Sequence, residues 1–139
     1  MTVQIEEKLL AKFRQDPFAQ RLGVALEEVR PGYARTVLTI TPGLLNFHGI
    51  PHGGAIFGLA DAAFAAASNS HGQAAVALSM TIQFLGVASC GARLVAEAQE
   101  LRKGRRAGFY QITVKTDSGE PIAVCQAVVH RKSQSLVAE

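Results

Sequence analysis

Apolar residues recur along the chain at two spacings, which predict helices in two places and strands elsewhere. Over residues 6–15, Leu9 and Phe13 lie one turn apart with charged residues between them, a pattern typical of an amphipathic helix. Pro17 disfavours the helical conformation of the residue before it, so we expect this N-terminal helix, within residues 1–17, to end at Asp16.

Six further segments are rich in β-branched and apolar residues and are bounded by turn signals, which predicts strands. In the second of them apolar and polar residues alternate, as in a strand with one buried face. The six segments are 22–28, 33–41, 74–85, 92–101, 108–116 and 121–132. The tail, 133–139, is expected to be frayed.

Residues 54–69 have an apolar residue at nearly every position, and one charge, Asp61, interrupts them. A helix that is apolar all round has to be enclosed by other structure, and Gly72 suits a left-handed end to it. The order of elements predicts one α+β domain, 1–139, in which an antiparallel sheet wraps around one long central helix. A single helix cannot cover a six-stranded face, so we expect sheet surface or an edge to pair with another copy of the chain.

Composition adds that the chain is globular. The 139 residues are 48% hydrophobic and contain no Trp. A domain of this length buries somewhat under ~70% of its extended-chain surface, enough for one core. The longest apolar run, 55–67, is shorter than the ~18 residues of a membrane span, so no membrane partner is expected. Residues 1–8 lack the pattern of a signal peptide, and we therefore expect a cytoplasmic location.

Cysteine usage and charge narrow the possible ligands. Cys90 and Cys125 are far apart and form no C-x-x-C motif, which argues against a disulfide framework or a cysteine-based metal site. The net charge of +3 suits an anionic ligand, but it is too small to indicate nucleic acid binding.

The most specific pattern lies at the start of the central helix. Residues 46–54 read Asn-Phe-His-Gly-Ile-Pro-His-Gly-Gly, with Leu-Ala-Asp-Ala-Ala-Phe at 59–64 and Ser-Asn at 68–69. This combination resembles the hotdog-fold acyl-CoA thioesterases of the phenylacetate-degradation (PaaI) branch, and the similarity extends over about residues 18–132. The resemblance implies a homotetramer, a dimer of dimers with active sites at the dimer interface. It also implies hydrolysis of aryl- or acyl-CoA thioesters without a metal or cofactor.

Glycines at the helix start predict a site for a thioester carbonyl. A helix N-terminus offers free N–H groups and a partial positive charge, and Gly53 and Gly54 let a ligand approach the backbone. We expect the Gly54 N–H, together with the Gly53 N–H, to donate to the oxygen that becomes negative during hydrolysis. The alternative is that the glycines only ease a sharp turn into the helix.

Asp61 is the candidate for activating water or attacking the substrate. Burial of an unpaired carboxylate is unfavourable, and carboxylates of raised pKa cluster at functional sites. The alternative is an Asp61 that bonds to backbone or to a structural cation such as Arg35. The resemblance puts Asp61 at the position of the nucleophile or general base. Because Gly53 and Asp61 lie eight residues apart, roughly 12 Å along a helix, we expect each site to combine residues of two subunits.

Five polar residues around the helix have less certain roles. Asn46 is expected to orient water or the carbonyl, and His52 either takes part directly or only fixes the loop. His48 lies four residues before His52, but Gly49 and Pro51 prevent a helical metal pair, so no zinc site is expected. The resemblance suggests a hydroxyl on the following strand. Ser79 and Thr81 are the candidates, with packing as the alternative reading.

The densest basic cluster is the turn at 102–106, with Lys103, Arg105 and Arg106. Guanidinium groups suit phosphate oxygens, so this turn is a candidate for binding the phosphates of CoA, the alternative being a solvated turn. Five apolar residues could line an aromatic pocket for the acyl group, although core packing is their default role: Phe47, Ile50, Phe57, Phe64 and Phe84. Two other functions stay open: a hydratase or dehydratase of the same fold, and a non-catalytic acyl-CoA binding module.

Overall fold

The computed structural model describes residues 5–137. In this part of the chain, helices α1 to α3, one short 3-10 helix and strands β1 to β6 follow one another in an α+β order. The helices are α1 (Glu7–Arg14), α2 (Pro17–Leu22), the 3-10 turn (Pro42–Leu44) and α3 (Gly53–Asn69). The strands are β1 (Ala25–Arg30), β2 (Tyr33–Thr39), β3 (Gln73–Phe84), β4 (Arg93–Lys103), β5 (Ala107–Thr116) and β6 (Pro121–Ser135).

The six strands form one antiparallel sheet in the spatial order β1-β2-β4-β5-β6-β3. Short connections join β4, β5 and β6 as neighbours, whereas α3 carries the chain from β2 across to β3 at the far edge. The edges are therefore β1, with six residues, and β3, with twelve. The long helix thus packs along one face of a curved sheet, as the order of elements predicts.

The core lies between α3 and the inner face of the sheet. On the helix, Leu59, Ala60 and Ala63 have no exposed surface, and they pack against fully buried strand residues such as Leu94 and Ile112. Alanine at many helix positions lets the sheet approach closely, and each large buried side chain contributes about 1.5–3 kcal/mol. This packing fixes the axis of α3, and so the place of its N-terminal end.

The direction of β3 relates the two ends of the helix to the edge of the sheet. β3 starts just after α3 ends and runs back along it, so that the ring of Phe84, at the strand's end, lies against Gly53. Leu78 forms a bulge in the pairing with β6, and its side chain is 65% exposed. A free edge of twelve residues with exposed apolar side chains is therefore next to the central helix.

Two segments differ from the prediction. Residues 17–22 form helix α2, so β1 starts at Ala25 and not at residue 22. Pro17 is well placed in the first turn of a helix, and Gly23, with φ 95°, ends it in the left-handed conformation. The expected frayed tail is wrong for 133–135, because β6 continues to Ser135 and pairs there with Gln73.

The predictions for the chain ends extend beyond the described part, since residues 1–4 and 138–139 lie outside it. Gly72 has the left-handed φ expected, 87°, but the C-cap of α3 is Ser70 in the right-handed region, so Gly72 ends the turn after the helix and not the helix itself. Among the helices of residues 5–137, none combines the length and the hydropathy that crossing a bilayer requires.

Candidate active site

His52 organises the start of α3. It is the N-cap residue with extended backbone angles, and its Nδ1 accepts a hydrogen bond of 2.8 Å from the Gly54 N–H. Acceptance at Nδ1 requires the neutral imidazole with its proton on Nε2. The Gly54 N–H, the predicted oxyanion donor, is therefore engaged by the imidazole within this chain, and His52 presents an Nε2–H donor outward.

Gly53 supplies the open donor at this end of the helix. Among the hydrogen bonds of residues 5–137, none uses the Gly53 N–H. A Cβ on Gly53 would lie 3.2 Å from Phe84 Cζ, so the aromatic ring occupies the space that a side chain would need. A free N–H at the positive end of a helix is suited to stabilise a developing oxyanion.

Asn46 lines the same cleft as Gly53. The cleft has a volume of about 190 Å³ and is otherwise mostly apolar, with Ile50, Ile56 and Phe84 in its wall. The Asn46 Oδ1 accepts hydrogen bonds from two N–H groups of its own loop, those of His48 at 2.9 Å and Ile50 at 3.3 Å. The amide oxygen therefore holds the loop, and Nδ2 is left without a partner among the described residues.

Asp61 lies on the exposed side of α3 and has no compensating partner. In the part of the chain that the structure describes, its carboxylate forms no hydrogen bond or ion pair. One side of the carboxylate is open, but the surrounding apolar atoms desolvate it and raise its pKa above the ordinary value, and the charge of Asp16 adds to this. Such a carboxylate can accept a proton from water more readily than an ordinary aspartate.

The alternative role for Asp61 as a partner of Arg35 is wrong. The Arg35 guanidinium bonds to two neighbouring carboxylates, with Nε 3.0 Å from Glu27 Oε1 and an Nη 3.0 Å from Glu28 Oε2. These bonds take up the cation on the outer side of the sheet. Among residues 5–137, no backbone N–H donates to the Asp61 carboxylate in place of Arg35. The carboxylate is therefore not neutralised within the described chain and can react with a substrate or with water.

One stripe of the central helix is open in the single chain. Gly54, Asp61 and Ala65 are on one face of the helix by their spacing of seven and four residues, and Asp61 and Ala65 are exposed. The expectation that α3 is enclosed all round is therefore wrong for the isolated chain. The helix is continuous from Gly53 to Asn69, so Gly53 and Asp61 remain roughly 12 Å apart along its axis.

The structure does not bring Ser79 and Thr81 to the helix. After the bulge at Leu78, Ser79 pairs with Val128 and Thr81 pairs with Gln126, whereas the intervening Met80 packs against the core. Directly opposed residues share a face of the sheet, so both hydroxyls lie on the outer face of the single chain. Their predicted contact with substrate stays untested.

His48 and the neighbouring Phe47 lie on the surface of the loop, with ring centroids 4.1 Å apart. His52 is engaged with Gly54, as described above, and not with His48. Residues 5–137 contain no group of three or more His, Cys, Asp or Glu side chains placed around a common metal position.

In the folded structure, the basic turn lies near the start of β3, whereas the helix tip lies near the end of that strand. Arg105 and Arg106 line a concave surface of about 680 Å³, and Arg131 and Lys132 add two further cations to it. Its lining includes His130 but no carboxylate, so it attracts anions. Lys103 is exposed at the end of β4 and is not part of this lining. The surface adjoins Gln73, which is roughly 35 Å along β3 from Phe84 and the tip.

Sequence reasoning missed Asp16, whose negative charge acts on Asp61, and the wall that Val87 contributes to the cleft. Neither has a local signal, because each contact joins residues more than 30 positions apart in the sequence. Only the folded arrangement of α2 and of the segment after β3 reveals them.

Comparison with known proteins gives the class. Residues 48–123, more than half of the chain, match the model of a family described as the thioesterase superfamily. The chain therefore belongs to the thioesterase superfamily. The match covers the helix tip, Asp61 and the end of the loop before the helix from His48 onward, but not Asn46.

Individual relatives are more specific. The acyl-coenzyme A thioesterase PaaI of Escherichia coli (strain K12) is 36% identical over 129 residues, which cover 93% of this chain and 92% of that protein. The solved structure of the E. coli PaaI protein, from the phenylacetic acid degradation operon, has a TM-score of 0.89 at 34% identity, covering 95% of this chain and 99% of that one. A variant of the phenylacetic acid degradation protein PaaI from Thermus thermophilus has a TM-score of 0.81 at 37% identity, covering 84% and 100%.

These relatives confirm the predicted fold class and the resemblance to the PaaI branch. An antiparallel sheet around one central helix is the hotdog fold, and both the sheet order and the place of α3 agree with it.

Proposed function

We propose that the chain hydrolyses acyl-CoA or aryl-CoA thioesters to the free acid and CoA, with aryl-acetyl esters such as phenylacetyl-CoA as candidate substrates. The observation that carries the proposal is Asp61, a carboxylate of raised pKa without a partner in the described residues, on a helix whose tip has an open N–H. Membership of the thioesterase superfamily and the similarity to PaaI support the reaction class.

The proposed reaction uses the tip for the carbonyl and Asp61 for water. The Gly53 N–H and the Asn46 Nδ2 donate to the thioester oxygen, which becomes negative as water adds to the carbonyl carbon. Asp61 takes the proton of that water and returns it to the CoA sulfur as the C–S bond breaks. His52 supports the tip through its bond to Gly54, and its Nε2–H is a further donor toward the substrate.

Direct attack by Asp61 is the alternative first step, and it passes through a mixed anhydride. A single turnover in ¹⁸O-labelled water, followed by mass analysis of the peptide that contains Asp61, separates the two. Label in Asp61 supports the anhydride. Label only in the product acid excludes an anhydride that water opens at the Asp61 carbon.

Each site is proposed to combine the tip of one subunit with Asp61 of another. The roughly 12 Å between Gly53 and Asp61 along one axis supports this, because both groups have to reach one carbonyl. The free β3 edge supports an antiparallel pairing of two copies. Because β3 runs back along α3, such pairing reverses the two helices, and the tip of one then faces the body of the other.

Complementation between two inactive variants tests the shared site. Gly53→Pro removes one N–H, and proline is tolerated there because residue 53 is the first of the helix and His52 is already extended. Asp61→Asn removes the carboxylate. Mixed subunits should recover up to roughly a quarter of the wild-type rate, because half the dimers are hybrids with one intact site.

Gly53→Ala keeps the N–H and adds a side chain beside Phe84, so it is the control for crowding at the tip. Folded hybrid dimers without activity would contradict a shared site. Light scattering of the wild type tests the assembly, and the proposed dimer of dimers should give four times the monomer mass of 14.8 kDa.

The basic surface is proposed to bind the CoA phosphates. Its three exposed cations, Arg105, Arg106 and Lys132, without a carboxylate in the lining, support this. In an antiparallel β3 pair, the basic surface of one subunit approaches the tip of the other. Arg105→Ala with Arg106→Ala should raise KM for CoA esters and weaken its dependence on salt, with Lys115→Ala on the outer sheet as the control.

Thiol release from a panel of CoA esters tests the function itself. The expected result is free CoA from at least one ester, with loss of product in Asp61→Asn. Formation of an alkene from a 3-hydroxyacyl-CoA would instead identify a hydratase. Tight binding without turnover would identify a binding module. We further propose a cytoplasmic location, where the exposed free thiol of Cys90 stays reduced.

A further inference from the structure

Two phenylalanine rings lie exposed on the side of the molecule that contains α3 and its tip. Phe47, in the loop before the helix, is 94% exposed, and Phe18, on α2, is 64% exposed. Neither ring lines the cleft at the tip. A single exposed apolar residue is common on a protein surface, so exposure alone indicates no partner. The places of the two rings relative to the tip and to Asp61 do indicate one.

Phe47 is held at the end of a short hairpin. Backbone hydrogen bonds join the two sides of the hairpin, from the Asn46 N–H to Ile50 O at 2.8 Å and from the Gly49 N–H to Asn46 O at 2.9 Å. Gly49 has φ 80°, the left-handed conformation that this tight turn requires. The ring therefore projects from a loop whose backbone is fixed, next to the cleft that contains the Gly53 N–H.

Phe18 lies against the central helix between its tip and Asp61. Helix α2 packs on α3 at Gly58, where a Cβ would lie 2.7 Å from Leu22 Cδ2 and 3.4 Å from Phe18 Cε2. The glycine allows this close approach. Gly58 precedes Asp61 by three residues, roughly 4.5 Å along the axis and on nearly the same side of the helix. One edge of the ring thus faces α3, and the rest is exposed beside the stripe that includes Asp61.

An antiparallel pair of helices brings the two rings together. In the proposed shared site the tip of one subunit faces Asp61 of the other, so the hairpin that contains Phe47 lies over the partner's helix beside Phe18. Within one chain the two rings are not paired, since the aromatic neighbour of Phe47 among residues 5–137 is His48, at 4.1 Å between centroids. Both rings are therefore available for one contact between subunits, and two-fold symmetry gives the dimer two such contacts.

We propose that Phe47 of one subunit packs against Phe18 of its partner, and that this aromatic contact sets the position of the helix tip relative to Asp61. The inference rests on the proposed function, because it takes the shared site as the arrangement of the two subunits. Phenyl rings bury a large apolar area and prefer contacts with centroids ~4.5–7 Å apart. A displacement of about 1 Å between groups that act on one carbonyl lowers a rate by about 10²-fold, so both are positioning residues.

Cross-linking between subunits tests the contact without turnover. Phe18→Cys and Phe47→Cys are prepared as separate chains in a Cys90→Ser background, because Cys90 is the exposed native thiol. After the two chains are refolded together, a short bis-maleimide should give a species of twice the 14.8 kDa chain mass, and it should give none with either chain alone.

Phe47→Cys refolded with Phe109→Cys is the matched control and should not cross-link, because Phe109 is exposed on the outer face of the sheet. No cross-link between the Phe18→Cys and Phe47→Cys chains, an equal yield in the control, or an equal yield from one variant with itself would overturn the inference.

Activity tests the positioning role. Phe18→Ala and Phe47→Ala should each lower kcat by about 10–100-fold, and the double variant should lie no more than about threefold below the worse single variant, since both changes remove the same contact. Refolded together, the two single variants should regain up to roughly a quarter of the wild-type kcat, because half of the dimers are hybrids with one intact contact. Leucine at either position keeps an apolar contact and should hold kcat within a few-fold of the wild type.

Independent losses that multiply in the double variant, without recovery in the mixture, would also overturn the contact. A protein that cross-links as expected but cleaves no CoA ester defeats the proposed function alone. A protein that cleaves CoA esters but gives no cross-link between the two chains defeats this inference alone.

Discussion

Asp61, on the central helix, and Glu100, on β4, are two carboxylates with opposite surroundings. Glu100 is the less exposed of the two, yet its pKa is lowered, whereas the pKa of Asp61 is raised. Burial acts on both in the same direction. Hydrogen bonds account for the difference, since Glu100 has donors around it and Asp61 has none among the described residues.

The Glu100 carboxylate is the centre of a polar cluster at the end of α3. Burial alone would raise its pKa, but the hydroxyl of Tyr110 at 2.5 Å, the ring of His71 at 2.8 Å and the charge of Arg131 outweigh burial. The buried Tyr110 donor in turn has a raised pKa, chiefly through its own burial. The cluster ties β4, β5 and the turn after α3 together.

Glu100 thus has the surroundings of a structural carboxylate, and Asp61 has those of a carboxylate that can take part in proton transfer. A carboxylate held in its charged form by three partners stabilises the fold but cannot easily accept a proton. A carboxylate without partners destabilises the charged form and is ready to be protonated. Titratable groups whose surroundings shift their pKa values apart in this way mark the division of roles.

The largest expected effect is on activity, when each acid is exchanged for its amide. Asp61→Asn should lower kcat about 10²–10⁴-fold, because it removes the proposed base or nucleophile. Glu100→Gln should keep kcat within a few-fold of the wild type. Steady-state thiol release at saturating ester measures both. Comparable losses in the two variants would show that Asp61 has no special role.

For stability the order of the two variants should be the reverse: Glu100→Gln should lose more than Asp61→Asn. Glu100→Gln should lower the free energy of unfolding by about 1–3 kcal/mol, because buried donors on Tyr110 and His71 lose a charged acceptor. Asp61→Asn should leave stability unchanged or raise it at neutral pH. Urea unfolding followed by circular dichroism measures the difference. Tyr110→Phe, which removes one donor, should resemble Glu100→Gln in direction.

Glu100 and Asp61 should contribute to stability with opposite pH dependence. The lowered pKa of Glu100 gives a contribution that is present above its ordinary value of 4.5 and is lost as pH falls through the lowered value. The raised pKa of Asp61 gives a contribution that is present below 3.8 and is lost as pH rises through the raised value. Unfolding curves of the wild type and both amide variants, from about pH 7 to about pH 2, separate the two. Parallel curves for all three would contradict both assignments.

The smallest effect expected is that of Asp16 on Asp61. The acid limb of kcat/KM should lie above the ordinary aspartate value, because Asp61 works in its charged form. Asp16→Asn removes a negative charge nearby and should move that limb to lower pH without a large change in kcat at neutral pH. Asp117→Asn, in the turn after β5, carries the same charge change and should leave the limb in place.

Local patterns predicted the elements well and the contacts poorly. The helix expected at 54–69 is confirmed as Gly53–Asn69. A continuous apolar run of this length with many small residues indicates a buried helix. Helix α2 was missed although Pro17 and Gly23 mark both of its ends, since six residues show too little periodicity. The spacing of Asp61 from the tip follows from helix geometry alone.

Side-chain partners could not be predicted because they depend on distant segments. Gly53, and not Gly54, is the open donor because the His52 side chain accepts the Gly54 N–H. The stripe around Asp61 is exposed because the sheet of the same chain does not cover that side of the helix. The outward direction of Ser79 comes from one bulged residue, Leu78, that changes the alternation. Sequence periodicity contains none of this information.

The hydrogen bond between the imidazole of His52 and the backbone of Gly54 has an evolutionary consequence. A Cβ at residue 54 would lie 3.0 Å from the accepting Nδ1, so the cap and any side chain at 54 compete for the same space. A side chain at 54 therefore has to move the imidazole out of its capping position. A lineage that gains such a side chain loses this cap, so the two positions are expected to change as a pair among related sequences.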